Sequence, residues 1–135
     1  MIRRKRLIKP LVLAVDFDGV IAQCERWKGF NVFGPPIRGV KKYLQKLREE
    51  GWIIIVWTVR PPNNKLKFYL NYFEIPYDAV NRDVNEWFHN PNHKIFAHVY
   101  FDDKDIRSLN KRWKWWRMYW RLRWRTRHLY ERGRG

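Results

Sequence analysis

Asp16-Phe-Asp18-Gly19 places two carboxylates two residues apart, and Asp102-Asp103 supplies a second acidic pair far along the chain. Gly19 lets the backbone turn sharply after the first pair. Oxygen ligands from such pairs suit an octahedral Mg²⁺. Thr58 offers a hydroxyl and Lys94 an ammonium, the groups that gather around phosphate oxygens. A carboxylate nucleophile, a second carboxylate, a hydroxyl, a lysine and a metal site together describe phosphoryl transfer through an aspartyl-phosphate. Each piece alone has an ordinary reading: the first pair as a turn, the second as a helix start with Asp105, Lys94 as a solvated side chain. The combination is what carries chemistry.

Such groups need elements to bring them together. Residues 11–15 (LVLAV) form an apolar run ending at Asp16, and residues 52–57 (WIIIVW) another ending at Thr58. Runs of this kind predict strands buried on both faces, as in a parallel sheet. Between them, Ile37, Val40, Leu44 and Leu47 have helical spacing over 37–50, with Gly51 as the stop. Pro61-Pro-Asn-Asn64 opens a second helix with Leu66, Leu70 and Phe73 as its stripe. Residues 77–80 predict a short strand, and 97–101 a longer one ending at Asp102. Residues 19–36 and 81–93 read as loops. The alternation predicts an α/β, Rossmann-like three-layer domain with a central parallel sheet. Asp16, Thr58 and Asp102 then share its carboxyl edge, where ligands of open α/β sheets bind.

With these residues in place, the chain resembles the haloacid dehalogenase-like hydrolase superfamily over roughly residues 11–107. Asp16-Phe-Asp-Gly-Val20 is similar to its nucleophile motif, although Val20 stands where threonine is commoner. Val56-Trp-Thr-Val-Arg60, Lys94 and Phe101-Asp-Asp103 follow in the family's order. The "WTxR" motif, Asn81 after the middle strand and a lysine shortly before "DD" resemble small capless phosphatase-like members. The resemblance implies that Asp16 attacks phosphorus and also ligates Mg²⁺. It implies that Asp18 is the acid and base, with its backbone carbonyl on the metal. Thr58 and Lys94 would hold the phosphoryl group, and Asp102 and Asp103 the metal. Arg60 either orients substrate or pairs with a carboxylate. No insertion is long enough for a cap, so an open site is expected. A response-regulator receiver uses similar groups, but there the acidic pair comes first in the chain; here the order is reversed.

Composition divides the chain. Of 135 residues, 29 are basic and 13 acidic, a net charge of +16. Residues 1–9 carry five basic side chains, and residues 110–135 carry ten with one acid, leaving 10–109 nearly neutral. A basic N-terminal segment, an α/β phosphatase domain over 10–109 and a basic C-terminal helix over 110–135 are expected. Trp113, Trp116, Trp120 and Trp124 share one face of that helix, with Trp115, Met118, Leu122 and Leu129 opposite. One face is expected to pack on the domain and the other to meet a partner. Nucleic acid is the favoured partner, gripped through Arg117, Trp120, Arg121, Trp124 and Arg125. Plain packing, anionic lipid and a homodimer remain as other readings.

The expected function is a Mg²⁺-dependent phosphomonoesterase acting on a nucleotide or nucleic acid end. The alternative is a nucleic-acid-binding module on a vestigial site. No apolar run is long enough to cross a bilayer. The N-terminal stretch imitates a signal peptide but runs too soon into Asp16 and Asp18. One cysteine, Cys24, allows no internal disulfide, and a cytoplasmic location is expected. His89 and His93 have a zinc-like spacing that Pro91 between them opposes. Trp27, Lys28, Phe30 and Phe33 lie in a loop placed to overhang the site, with Phe30 and Phe33 equally suited to the core.

Overall fold

The structure, a computed structural model, describes residues 5–24, 32–60, 64–81, 97–102 and 115–132. Its centre is a four-stranded sheet of β1 (Leu11–Asp16), β2 (Trp52–Trp57), β3 (Ala79–Val80) and β4 (Val99–Phe101). The order is β3-β2-β1-β4 and every pairing is parallel. Helix α1 (Val40–Glu49) links β1 to β2, α2 (Asn64–Tyr72) links β2 to β3, and α3 (Trp115–Arg125) runs into a 3₁₀ turn, Arg127–Leu129. The fold is therefore α/β and Rossmann-like, as the alternating apolar runs predict.

In register, Leu13 pairs with Ile54 and Val15 with both Val56 and Phe101, so these side chains share one face of the sheet. They join a single core with Val40, Leu44 and Leu47 of α1, Leu66, Tyr69 and Leu70 of α2, and Trp115, Met118, Tyr119 and Leu122 of α3. Ala14 and Ile55, on the opposite face, are buried as well. Continuous apolar runs rather than alternating ones follow from that two-sided burial.

Several boundaries differ from expectation: β3 is Ala79–Val80 where 77–80 is expected, and β4 is Val99–Phe101 where 97–101 is expected. Helix α1 begins at Val40, because Gly39 takes a left-handed φ of 91° that a helix running through it could not, and Ile37 lies outside, donating its N–H to the Ile21 carbonyl at 2.7 Å. Tyr69, not Phe73, completes the buried stripe of α2; Phe73 lies in the turn beyond the helix and is half-buried. Leu129 leaves the helical face because its turn is 3₁₀, and it too stays partly exposed.

The two basic ends meet. Leu7 bridges Tyr130, Ile8 donates to the Leu129 carbonyl at 2.9 Å, and Glu131 donates to that of Arg6 at 2.8 Å. Buried Glu50, following α1, accepts hydroxyl protons from Tyr119 and, at 2.7 Å, from Tyr130. It also lies 3.0 Å from the Arg123 Nε, a charge contact whose N–H is not aligned as a hydrogen bond. This cluster seats α3 against α1 at the amino edge of the sheet.

Candidate active site

Parallel strands in register carry their last residues to one edge. Asp16 ends β1, Thr58 follows β2, Asn81 follows β3 and Asp102 follows β4. The β1–β4 ladder ends at the Val15–Phe101 pair, so Asp16 and Asp102 are the next residues along two neighbouring strands. Thr58 is 4% exposed, and its Oγ accepts the Arg60 N–H at 3.0 Å. Asn81 fixes the turn beneath it from both sides. Its Oδ1 accepts the Thr58 N–H at 2.9 Å, and its Nδ2 donates to the Thr58 carbonyl at 2.8 Å. Asn81 adopts a φ of 50°, a conformation that asparagine tolerates better than most residues.

The loop after β1 is anchored by its apolar members. Phe17, Val20, Ile21 and Ala22 are all fully buried, which leaves Asp18 and Gly19 to form the rim. Gly19 has a φ of 86° and donates to the Ala22 carbonyl at 2.8 Å, while Ile21 and Ala22 both donate to that of Phe17. Gly34 crosses this loop so closely that an added Cβ would stand 1.9 Å from the Gln23 carbonyl oxygen. Its own carbonyl accepts the Tyr69 hydroxyl at 2.7 Å. Burial, reinforced by the Asp18 charge, pushes that phenol above its ordinary ionisation range.

Arg60 makes one of the two contacts that the sequence leaves open for it. It is 3% exposed, and its Nε and Nη2 donate to the two Asp18 oxygens, each at 2.8 Å. Nη2 also donates to the Val32 carbonyl at 2.8 Å, and the guanidinium lies 4.7 Å from the Phe33 ring centroid and 5.7 Å from that of Phe17. Arg60 thus pairs with a carboxylate. This two-point geometry is the strongest form of side-chain ion pair. Phe33 is a core residue that also forms one wall of the Arg60 pocket.

Among the described residues, no three His, Cys, Asp or Glu side chains form a metal-holding group. Mg²⁺ does not require three: it is commonly held by one or two carboxylates, with phosphate and water completing an oxygen shell. Asp16 and Asp102 fit that smaller demand, with the Asp18 carbonyl two residues along the chain. Lys94 and Asp103 lie outside the described residues, as do His89, His93, Trp27, Lys28 and Phe30. Arg117, Trp120, Arg121, Trp124 and Arg125 stand exposed on α3, while Trp115, Met118 and Leu122 face the core. Over Trp115–Arg125, shorter than the 110–135 expected, the helix has one buried and one exposed face, and Trp113 lies outside the described residues. The Asn81 clamp was legible only as a residue type after a strand; its partners are backbone atoms that no side-chain pattern reveals.

No protein-family model matches the sequence, and no curated protein matches it. Among solved structures, a conserved protein of Bacteroides thetaiotaomicron superposes with a TM-score of 0.67 at 22% identity, over 87% of this chain and 93% of that one. That likeness is one of fold. A protein of Vibrio cholerae gives a TM-score of 0.46 at 19% identity, over 85% of this chain and 96% of that one.

Proposed function

We propose that the chain is a Mg²⁺-dependent phosphomonoesterase of the haloacid dehalogenase-like kind. The observation that carries this reading is the common edge: Asp16 ends β1, Asp102 and Thr58 follow the strands on either side of it, and Asp18 lies on the turn after Asp16. In this reading an Asp16 carboxylate oxygen attacks phosphorus in line, and the bond from phosphorus to the leaving oxygen breaks. Asp18 gives its proton to that oxygen, then takes a proton from the water that attacks the aspartyl-phosphate. As the water oxygen bonds to phosphorus, the bond from phosphorus to the Asp16 oxygen breaks, which releases inorganic phosphate and restores the Asp16 carboxylate. Thr58, its oxygen already accepting from the Arg60 N–H, has its hydroxyl proton to offer the transferred group. Lys94 takes the remaining negative charge. Asp16 and Asp102 would hold Mg²⁺, which when bound stabilises charge on the phosphoryl oxygens.

The Arg60 fork adds a condition. Both Asp18 oxygens accept from the guanidinium, so Asp18 can exchange a proton with substrate only after one of them is released. An arriving phosphate dianion competes for the same guanidinium and supplies the means.

Phosphate release with Mg²⁺ tests the reading, comparing native protein with Asp16→Asn on an aryl phosphate, mononucleotides and oligonucleotides phosphorylated at either end. Turnover by the native protein, lowered on the order of 10³-fold or more by the substitution, is expected. No turnover of any substrate, or equal turnover by both proteins, would overturn it.

A further inference from the structure

Helix α3 presents a face that neither the core nor the active site uses. Trp116, Trp120 and Trp124 are 44%, 55% and 67% exposed, far more than large aromatics packed into a fold. At successive i, i+4 positions they form a ridge, each about 6 Å further along the axis. Arg117, Arg121 and Arg125 form a parallel exposed ridge one residue on, and the helix contains no acid. On the other flank, the α1 ammonium of Lys46 lies 5.3 Å from the Trp120 ring centroid. The aromatic strip therefore runs between two basic margins.

The strip also has a direction. At its start, Trp115 Nε1 donates to the Val20 carbonyl at 3.1 Å, and its ring meets Phe101, so this end stands at the carboxyl edge beside Asp16 and Asp102. At its far end, Tyr130 meets Leu7, Glu50 and Trp52 at the amino edge, where Lys5, Arg6 and Lys9 extend the basic surface.

We propose that this face is a docking track for single-stranded nucleic acid, with bases on the tryptophan ridge, phosphates on the arginine ridge, and the strand end near Trp116 delivered to the carboxyl edge. Single strands offer unstacked bases to aromatic rings, whereas a duplex offers mainly its phosphates. A second copy of the chain fits less well, because pairing this face with itself would oppose two acid-free arginine ridges. A bilayer also fits less well. The helix's apolar face, with Met118 and Leu122, is already buried against the core, which leaves the exposed strip no aliphatic side chain to insert. The track stands on α3 alone; only its delivery of a strand end to chemistry rests on the phosphatase reading.

Fluorescence anisotropy with a labelled, unphosphorylated oligothymidylate, without Mg²⁺, tests the track separately from catalysis. Tight binding to the single strand is expected, with weaker binding to a duplex of equal length. Trp120→Ala and Trp124→Ala should each weaken binding roughly 5- to 150-fold, with unchanged circular dichroism because both side chains are exposed. The Arg117→Ala, Arg121→Ala, Arg125→Ala triple variant should lower the slope of log affinity against log salt by about 2. Equal affinity for single strand and duplex, untouched by the tryptophan substitutions, would overturn the stacking role. So would binding to phosphatidylserine–phosphatidylcholine vesicles without binding to the oligonucleotide. A sedimentation dimer that Trp120→Ala dissolves would assign the face to self-association instead. Binding without phosphatase activity would leave the track standing and remove the active-site reading; turnover of small phosphates without binding would do the reverse.

Discussion

Arg60 is a cation with almost no water around it, and the Asp18 carboxylate is its principal compensation. Removing one member of such a buried pair leaves the other without its counter-charge, at a cost of about 3–5 kcal/mol. Asp18→Asn should therefore lower unfolding free energy in urea by that amount, and Asp18→Asn with Arg60→Met should recover much of it. A double-mutant cycle with no coupling would mean that the fork is incidental. Turnover should be lost in the single and the double variant alike, which separates the acid/base role from the structural one. Asn81 makes a second residue-scale test. Asn81→Ala strips the buried Thr58 N–H of its acceptor and puts a less tolerant residue at positive φ, so a loss of about 2–4 kcal/mol is expected. Asn81→Gly should lose about 1 kcal/mol less, since only the backbone conformation is relieved. Calorimetry that ranked the two the other way would contradict this account. The placement of Asp16 and Thr58 at the ends of β1 and β2 was legible, because an apolar run that stops at a polar residue marks a strand end. The Arg60 fork was only half legible: the sequence held two partners in view, and a choice between them needs the path of residues 32–34 over the loop.

Among the elements, strands were the most legible, because burial on both faces writes an unbroken apolar run that few other structures require. Helix limits were less so. Ile37 keeps the helical spacing of Val40, Leu44 and Leu47, but Gly39 between them turns left-handed at a φ of 91°, and periodicity does not register a backbone conformation. Glu50 shows the same blindness more sharply. Its place at the end of a polar-faced helix suggests a solvated acid, yet it is 3% exposed beneath two tyrosine hydroxyls and Arg123. Those partners are distant in sequence, so no local window joins them. Glu50→Gln keeps the shape but removes the charge facing Arg123, and should destabilise the protein by about 3–5 kcal/mol. The loss belongs to one junction, which predicts where it appears. Amide hydrogen exchange should accelerate first in α3 and around Leu7, before β1 and β2 change. Uniform acceleration across the sheet would show that α3 and the sheet open as one unit.

At the scale of the whole molecule, the sequence distinguished a nearly neutral middle from two basic ends, and the structure joins those ends through Leu7, Tyr130 and Glu131. Charge counting could not foresee this meeting, because like-charged segments repel, and what joins them is backbone pairing and the Tyr130 hydroxyl set between Trp52 and the buried Glu50 carboxylate. The same tyrosine ties the molecule's alkaline limit to its architecture. Burial raises the ionisation of Tyr119 and Tyr130 above the ordinary phenol range, with the Glu50 charge adding to it, as burial and Asp18 do for Tyr69. Below about pH 10, the ordinary phenol value, these groups are protonated whether the chain is folded or not, and their contribution is fully present. Above it, the unfolded chain releases protons that the folded chain retains, so the unfolded state binds fewer and stability falls as pH rises. Tyrosinate absorbance should therefore contain a phase that coincides with loss of near-ultraviolet circular dichroism. Tyr130→Phe should diminish that phase while loosening the junction of the termini. Complete development of tyrosinate with the near-ultraviolet signal intact would show that these hydroxyls reach solvent in the folded protein, and that the seat of α3 does not depend on their staying protonated.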